Sequence, residues 1–416
     1  MFTDTRSLLS EHGGLIVVCF LFIFFSIFGQ SVFFGVYLPA IQEDLNLTKT
    51  ALGLIYAKAT IASSIVIIFA GKGLDYYPLR NFVAVVLCGL ALGCFVMASA
   101  QSTLMLLLAF FLLRQFGQGL LVLCSSASIN RYLDKNRGKA VALTSLGSSL
   151  QLMIFPILAL SLDGFVGWRT AWNYYGFFVL FVLLPGFWFY LKTHQTKTHA
   201  KWQQNVKAQS EDEQVKKRDQ WTRKRVLRDW RFYGIVAIAM ISPFVGTVIF
   251  FYQRELAESL SITPMAFAAS FPFFTVSMIA SSFISGAIID KYGEKAALVS
   301  YPIIYSVGLF LMSAGSGLAV TYSGMVVLGL STGIMSTIGG PLLAKYYGTK
   351  HLASIKSLLF STSILASALS PFIFGFFMDQ GYEITTLFSS VIYYSGVVWI
   401  LAFPICRNVK VKQAAL

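Results

Sequence analysis

Two cations stand inside apolar runs of this chain, Arg114 in LLLAFFLLRQFGQGLLVL and Lys58 in LGLIYAKATIASS. A lone charge at mid-bilayer costs about 3 kcal/mol even on a mild insertion scale, so a chain that keeps one there uses it. Arg114 falls about ten residues into its run, near mid-depth at ~1.5 Å per residue. A guanidinium does not deprotonate, which leaves it two roles: anchoring an anion or donating to backbone carbonyls. Lys58 lies about seven residues into its run, where its stem either snorkels to the headgroups or carries the amine into a cavity. A buried lysine has a lowered pKa, which would let it carry a proton. No acid answers these cations at depth, because Asp75, Asp163, Glu255, Asp290 and Asp379 all fall at the ends of runs. Buried cations without buried acids call for an anionic ligand as counter-ion.

Other polar groups at middle depth are Gln30, Tyr37, Gln118, Gln151 and Tyr252, candidates for substrate contact or for bridges between helices. Enzyme chemistry finds no footing. There is no phosphate-binding loop and no Ser-His-Asp constellation. The five cysteines (Cys19, Cys88, Cys94, Cys124, Cys406) and four histidines (His12, His194, His199, His351) show no metal-ligand spacing. Neither cofactor nor metal is expected.

One short phrase occurs twice. GKGLDYYPLR runs from Gly71 to Arg80 and GAIIDKYGEK from Gly286 to Lys295, with Gly71, Asp75 and Arg80 each offset by 215 from Gly286, Asp290 and Lys295. The same offset carries Leu47-Thr48 onto Ile262-Thr263. A carboxylate at a helix end accepts from backbone N–H groups and pairs with a loop cation, which makes a latch cheap enough to break during opening. The alternative is an ordinary chain-reversing turn. Duplication favours gating, with Asp75, Arg80, Asp290 and Lys295 as the latch residues and Arg131 and Arg137, after the fourth run, beside them.

The elements that must position these residues follow from composition. The 416 residues are 56% hydrophobic and 12% charged, with mean hydropathy +0.70. Soluble domains carry about twice that charged share. Twelve apolar runs start near Gly14, Ala51, Asn81, Thr103, Lys139, Thr170, Phe232, Met265, Lys295, Thr321, Leu352 and Thr385. Each is long enough to cross a bilayer as a helix, and none alternates as a barrel strand would. The chain therefore reads as all-α and polytopic, with no cleavable signal peptide.

Residues 194–231 form the one sizeable hydrophilic stretch. The expected organisation is a six-helix bundle over 1–193, a cytoplasmic linker over 194–231, and a second bundle over 232–416. Net charge is +14, yet only Lys49, Arg169 and Arg254 fall in the loops opposite the linker. That asymmetry is a topology signal, not a nucleic-acid signal, and it puts both termini inside the cell, while the compact loops suggest a bacterial inner membrane. Two halves in the same orientation form a parallel repeat, suited to rocking about a central site. The linker reads as a solvated basic segment, with contact to acidic lipid through Lys216–Arg228 as the other reading.

The doubled phrase resembles the signature that follows the second helix in the major facilitator superfamily, although Tyr76 and Pro78 depart from it in the first copy. FFGVYLPAIQEDLNLTKTALGLIYA, INRYLDKNRGKAVALTSLG, GWRTAW, YYGTKHLASIKSL and SALSPFIFGFFMDQGY resemble the oxalate–formate antiporter and monocarboxylate porter group. The resemblance implies secondary transport of a small organic acid by a monomer within the lipid bilayer, with a coupled proton or counter-substrate left open. It also implies that spans 1, 4, 7 and 10 line a cavity, which favours Gln30, Tyr37, Gln118 and Tyr252. Two features depart from the group. Span 8 (265–289) lacks the Arg that anchors a carboxylate, and Lys356, near the start of span 11, is the only basic candidate there. Arg114 resembles the span-4 arginine of proton-linked members, with Gly117 and Gly119 one place early. Transport of a neutral, zwitterionic or cationic compound, and ligand sensing, are the alternatives.

Overall fold

The computed structural model describes residues 2–71, 73–133, 137–192, 221–292, 294–348 and 351–407, with side chains described from His12 to Ile400 except at 75, 130, 137, 290, 292, 295, 296 and 353 within those segments. Residues 194–220 of the linker, and the side chains of Asp75, Arg137, Asp290 and Lys295, therefore lie outside the described residues. Among the described residues every regular element is helical. Ten stretches are long and apolar enough to cross a membrane. One of them, Gly138–Lys192, has 55 residues and turns at Gly167, where φ is +74°. A shorter apolar helix, Ile384–Ile400, supplies the last of the twelve crossings. The chain divides into two compact units between residues 215 and 216, inside the hydrophilic stretch.

In the first unit, span 1 is not one helix. A helix over Phe2–Phe25 gives way to a tighter 3₁₀ turn, Ser26–Gly29, and a new helix, Ser31–Asp44, restarts after an extended Gln30. Span 2 is Lys49–Ala70, span 3 Leu79–Ala98, and span 4 runs from Thr103 to Tyr132 with a widened π-helical stretch over Arg114–Leu121. Spans 5 and 6 lie either side of Gly167, and the residues after that corner clamp the bundle's far end. Trp168 Nε1 donates to Asp44 Oδ2 at 2.8 Å, and Arg169 donates to the carbonyls of Ala98 (3.2 Å) and Ala100 (2.8 Å). Beneath the clamp, Phe33, Tyr37, Trp172 and Tyr175 form a ring cluster with centroids 5.0–6.4 Å apart. Gly89 and Gly93 let span 3 lie close on Phe116 and Leu112 of span 4.

The second unit opens with span 7, Trp230–Ala239 and Ile241–Phe251, offset at Met240 just before Pro243. Span 8 ends in Phe271–Tyr292, followed by span 9 (Glu294–Ala314), span 10 (Leu318–Tyr347), span 11 (Leu352–Asp379) and span 12 (Ile384–Arg407). Gly329 and Gly333 seat span 10 directly on the backbone of span 8 at Phe274 and Met278, leaving no room for a Cβ at either glycine. Small residues at such contacts allow the close approach on which helix association in lipid depends.

The 215-residue repeat reaches further than the sequence phrase. Span 1 ends with a positive-φ residue, Asn46 (49°), and the same turn closes at Ser261 (57°). The closing bonds repeat as well: Leu47 N–H donates to Gln42 O and Ile262 N–H to Ala257 O, each at 3.0 Å. Thr48 then caps span 2 by accepting from Ala51 N (3.1 Å), and Thr263 accepts from Ala266 N (3.2 Å). A threonine oxygen at this position satisfies one of the free N–H groups of a helix start.

Candidate functional site

Arg114 sits where two irregular segments meet. Span 1 breaks at Ser26–Gly29, and the π-helical stretch of span 4 begins at Arg114. Gly29 lies against the backbone of Leu113, Gly117 and Gln118, and Gly117 against the backbone of Gly29, so neither position admits a side chain. A broken helix leaves carbonyls without intrahelical partners, and in lipid these need donors from neighbours. Arg114 supplies one, donating from Nη1 to Gly29 O at 3.2 Å. Its guanidinium carbon lies 5.3 Å from the Tyr56 ring centroid, and the side chain is 6% exposed. Among the described residues no carboxylate pairs with it. Of the two roles open to Arg114, carbonyl donation is in place, and its positive charge stays unneutralised.

Polar groups collect around the same break. Gln30 is its extended residue, Gln118 is half-buried on the π-helical stretch, and Gln151 of span 5 accepts from Ser26 Oγ at 3.5 Å. Next to Arg114, Gln115 accepts from Ser63 Oγ at 3.0 Å, while among the described residues its buried amide nitrogen and the Thr60 hydroxyl make no hydrogen bond. Gln115, Ser63 and Thr60 escaped the sequence reading. The spacing Tyr56, Thr60, Ser63, a single face of span 2, is the signal that could have found them.

Three expected contacts are placed elsewhere. Tyr37 and Tyr252 are fully buried, and each hydroxyl is used inside its own unit. Tyr37 Oη bonds Tyr175 Oη at 2.7 Å and donates to Ala159 O at 3.3 Å; Tyr252 Oη donates to Pro371 O at 2.7 Å. The two tyrosines are related by the 215 offset and tie spans 1 and 7 to spans 5 and 11, so depth in the span had identified a structural bond. Lys58 is exposed on the face of span 2 that carries Leu54 and Ile65, turned away from Tyr56 and hence from Arg114.

The second unit holds a cleft of about 680 Å³ between spans 7, 10 and 11. Its walls include Ser242, Thr332, Ser336 and Ser363, Gly339-Gly340, and Lys356. The missing Cβ of Gly340 makes room for the Lys356 ammonium, which would lie 2.9 Å from that atom. Among the described residues Lys356 has no carboxylate partner, and the cleft contains no acid. Thr332, Ser336 and Ser363 donate their hydroxyl hydrogens to carbonyls of their own helices (Leu328, Gly333 and Leu359), so the group that suits a small anion is the Lys356 ammonium.

Of the gating candidates, Arg131 reaches the first copy of the doubled phrase, donating from Nη2 to Leu74 O at 3.0 Å. Arg80 stacks on Trp188 with its guanidinium carbon 4.5 Å from the ring centroid. In the second unit Lys345, at the end of span 10, pairs with Glu294 at the start of span 9. Each unit thus ties its fourth span to the segment around the doubled phrase.

The sequence matches the family model described as Major Facilitator Superfamily over residues 19–271 and 246–414. A hexuronate transporter of Bacillus subtilis (strain 168) is 24% identical over 364 residues, 82% of each chain. Among solved structures, the nucleoside transporter NupG superposes with TM-score 0.71 at 14% identity, covering 94% of this chain and 97% of that one. A D-xylose–proton symporter gives 0.69 at 15% identity, covering 95% and 97%.

Proposed function

The chain belongs to the major facilitator superfamily, and from that premise we propose that this transporter moves a small organic anion by alternating access. The observation that carries the reading is the Lys356 cleft, an open groove of about 680 Å³ whose lining holds one cation and, among the described residues, no acid. A hexuronate is a sugar carboxylate, so the relative named for it handles an anion of this class. Arg114 supports the same reading, since a buried charge without an acid stabilises a carboxylate that arrives with the substrate. Gln30, Gln118 and Gln151 would add hydrogen bonds from the span-1 break. Asp75 and Asp290 would latch the loops that Arg131 and Lys345 already hold. Both termini and the linker lie in the cytoplasm, on the side that retains the cations.

A thermal-shift screen of the purified protein against small carboxylates, including a hexuronate, neutral sugars and lipophilic cations tests this. A ligand at 100 times its dissociation constant stabilises by about 2.7 kcal/mol, a readily visible shift. Stabilisation by one carboxylate, lost in Lys356→Gln, is the expected result. Stabilisation by neutral sugars or cations alone would overturn the anion reading.

A further inference from the structure

The segment that enters span 7 is fastened to its bundle. Trp221 donates its N–H to Tyr347 O at 3.2 Å and packs on that ring at 5.4 Å between centroids. Arg225 stacks on Trp221 at 4.2 Å, Val226 is fully buried, and the Tyr233 hydroxyl donates to Leu227 O at 2.9 Å. These contacts orient a short turn so that Arg223, Lys224 and Arg228 all face outward. Among the described residues none of the three has a carboxylate partner. The nearby acid, Asp229, is buried, accepts from Arg231 N at 3.1 Å and lies 3.9 Å from the Arg231 guanidinium. It therefore does not neutralise the exposed group.

Two aromatic rings set the height of this surface. Trp230 is 51% exposed and Tyr233 55%, both in the first turn of span 7. Indole and phenol rings at the end of a membrane helix settle among the headgroups. The cations one turn earlier in the chain then stand at phosphate level. We infer that this rim of the second unit binds an anionic phospholipid, whose phosphate meets Arg223, Lys224 and Arg228 while its acyl chain lies along Trp230. A soluble anion is the weaker occupant, because the three cations lie on an open rim bordered by exposed aromatic surface.

The test uses the full-length protein in nanodiscs containing phosphatidylcholine and a graded fraction of phosphatidylglycerol, either lipid brominated on its acyl chains. The Trp230 signal is isolated by difference from Trp230→Phe. Near-surface attraction is about fivefold per basic group. Brominated phosphatidylglycerol should therefore quench Trp230 at a mole fraction at least tenfold below that needed with brominated phosphatidylcholine. In R223Q/K224Q/R228Q, with an unchanged melting temperature, that preference should vanish. Equal quenching by both lipids, or a preference that survives in the triple variant, overturns the inference. So does displacement of the lipid by millimolar inorganic phosphate, which would identify a site for a soluble anion.

Discussion

Arg114 has more donors than Gly29 can accept. One nitrogen holds the carbonyl of the broken helix, and the planar fork leaves others for a carboxylate. Lysine keeps the charge and loses the fork, so Arg114→Lys should retain folding and lower uptake at least tenfold. Arg114→Gln should abolish uptake at normal expression, with the melting temperature lowered by loss of the bond to Gly29 O. Near-normal uptake by the glutamine variant would reduce Arg114 to a carbonyl donor. In the second unit, a charge-assisted bond is worth about 1.5–3 kcal/mol, so Lys356→Gln should weaken carboxylate binding roughly tenfold to a hundredfold by titration calorimetry. The two tyrosines give the contrasting case. Tyr37→Phe removes two bonds between spans and Tyr252→Phe one, each worth about 0.6 kcal/mol on average in a membrane protein, and both should lower the melting temperature with KM unchanged. A raised KM in either variant would return that tyrosine to the site. Sequence located these residues by depth, and depth carries no information about which way a side chain points.

The breaks in spans 1 and 4 belong to the element scale. A long apolar run announces a membrane helix, and the twelve runs were legible with starts mostly within a turn of those observed. The 3₁₀ turn and the π-helical stretch were not, because neither contains a proline and SIFG reads as uninterrupted apolar sequence. Only Gly29 and Gly117, with Gln30 beside them, mark the crossing. Their role is testable, since a methyl at Gly29 would press on backbone atoms of Leu113 and Gln118 that have no rotamer by which to retreat. Gly29→Ala should therefore destabilise by about 1–3 kcal/mol or more. Gly246 of span 7 has nothing within 4 Å of such a methyl. Gly246→Ala should leave stability unchanged or raise it by up to ~1 kcal/mol, through helix propensity alone. Equal effects of the two substitutions on the melting temperature would mean that the spans can separate at the crossing.

At the scale of the whole molecule, repetition and divergence follow the same 215-residue offset. Turns, caps and tyrosine ties recur, yet Arg114 corresponds to Gly329, where span 10 lies on the backbone of span 8. The first unit places a charge at a depth that the second uses for helix contact, and the second unit's own cation, Lys356, has Val141 as its counterpart. The frame was legible because turns need particular residues at fixed spacing, whereas the two cations do not repeat and leave no such pattern. The proposed gating belongs to the repeated part. Asp75 and Asp290 stand at equivalent places, beside segments that Arg131 and the Lys345–Glu294 pair hold to their fourth spans. A surface ion pair is worth about 0.2–1 kcal/mol, enough to shift an inward–outward equilibrium up to about fivefold without unfolding either bundle. If both latches act on one two-state opening, their free energies add. Asp75→Asn and Asp290→Asn should then each raise the labelling rate of a single cysteine at Ser363, reached from the linker side in a cysteine-free background. The double variant should raise it by the product of the two factors. Unchanged labelling in all three would mean that the doubled phrase only turns the chain. A double variant no faster than the better single one would mean that a single latch controls the opening.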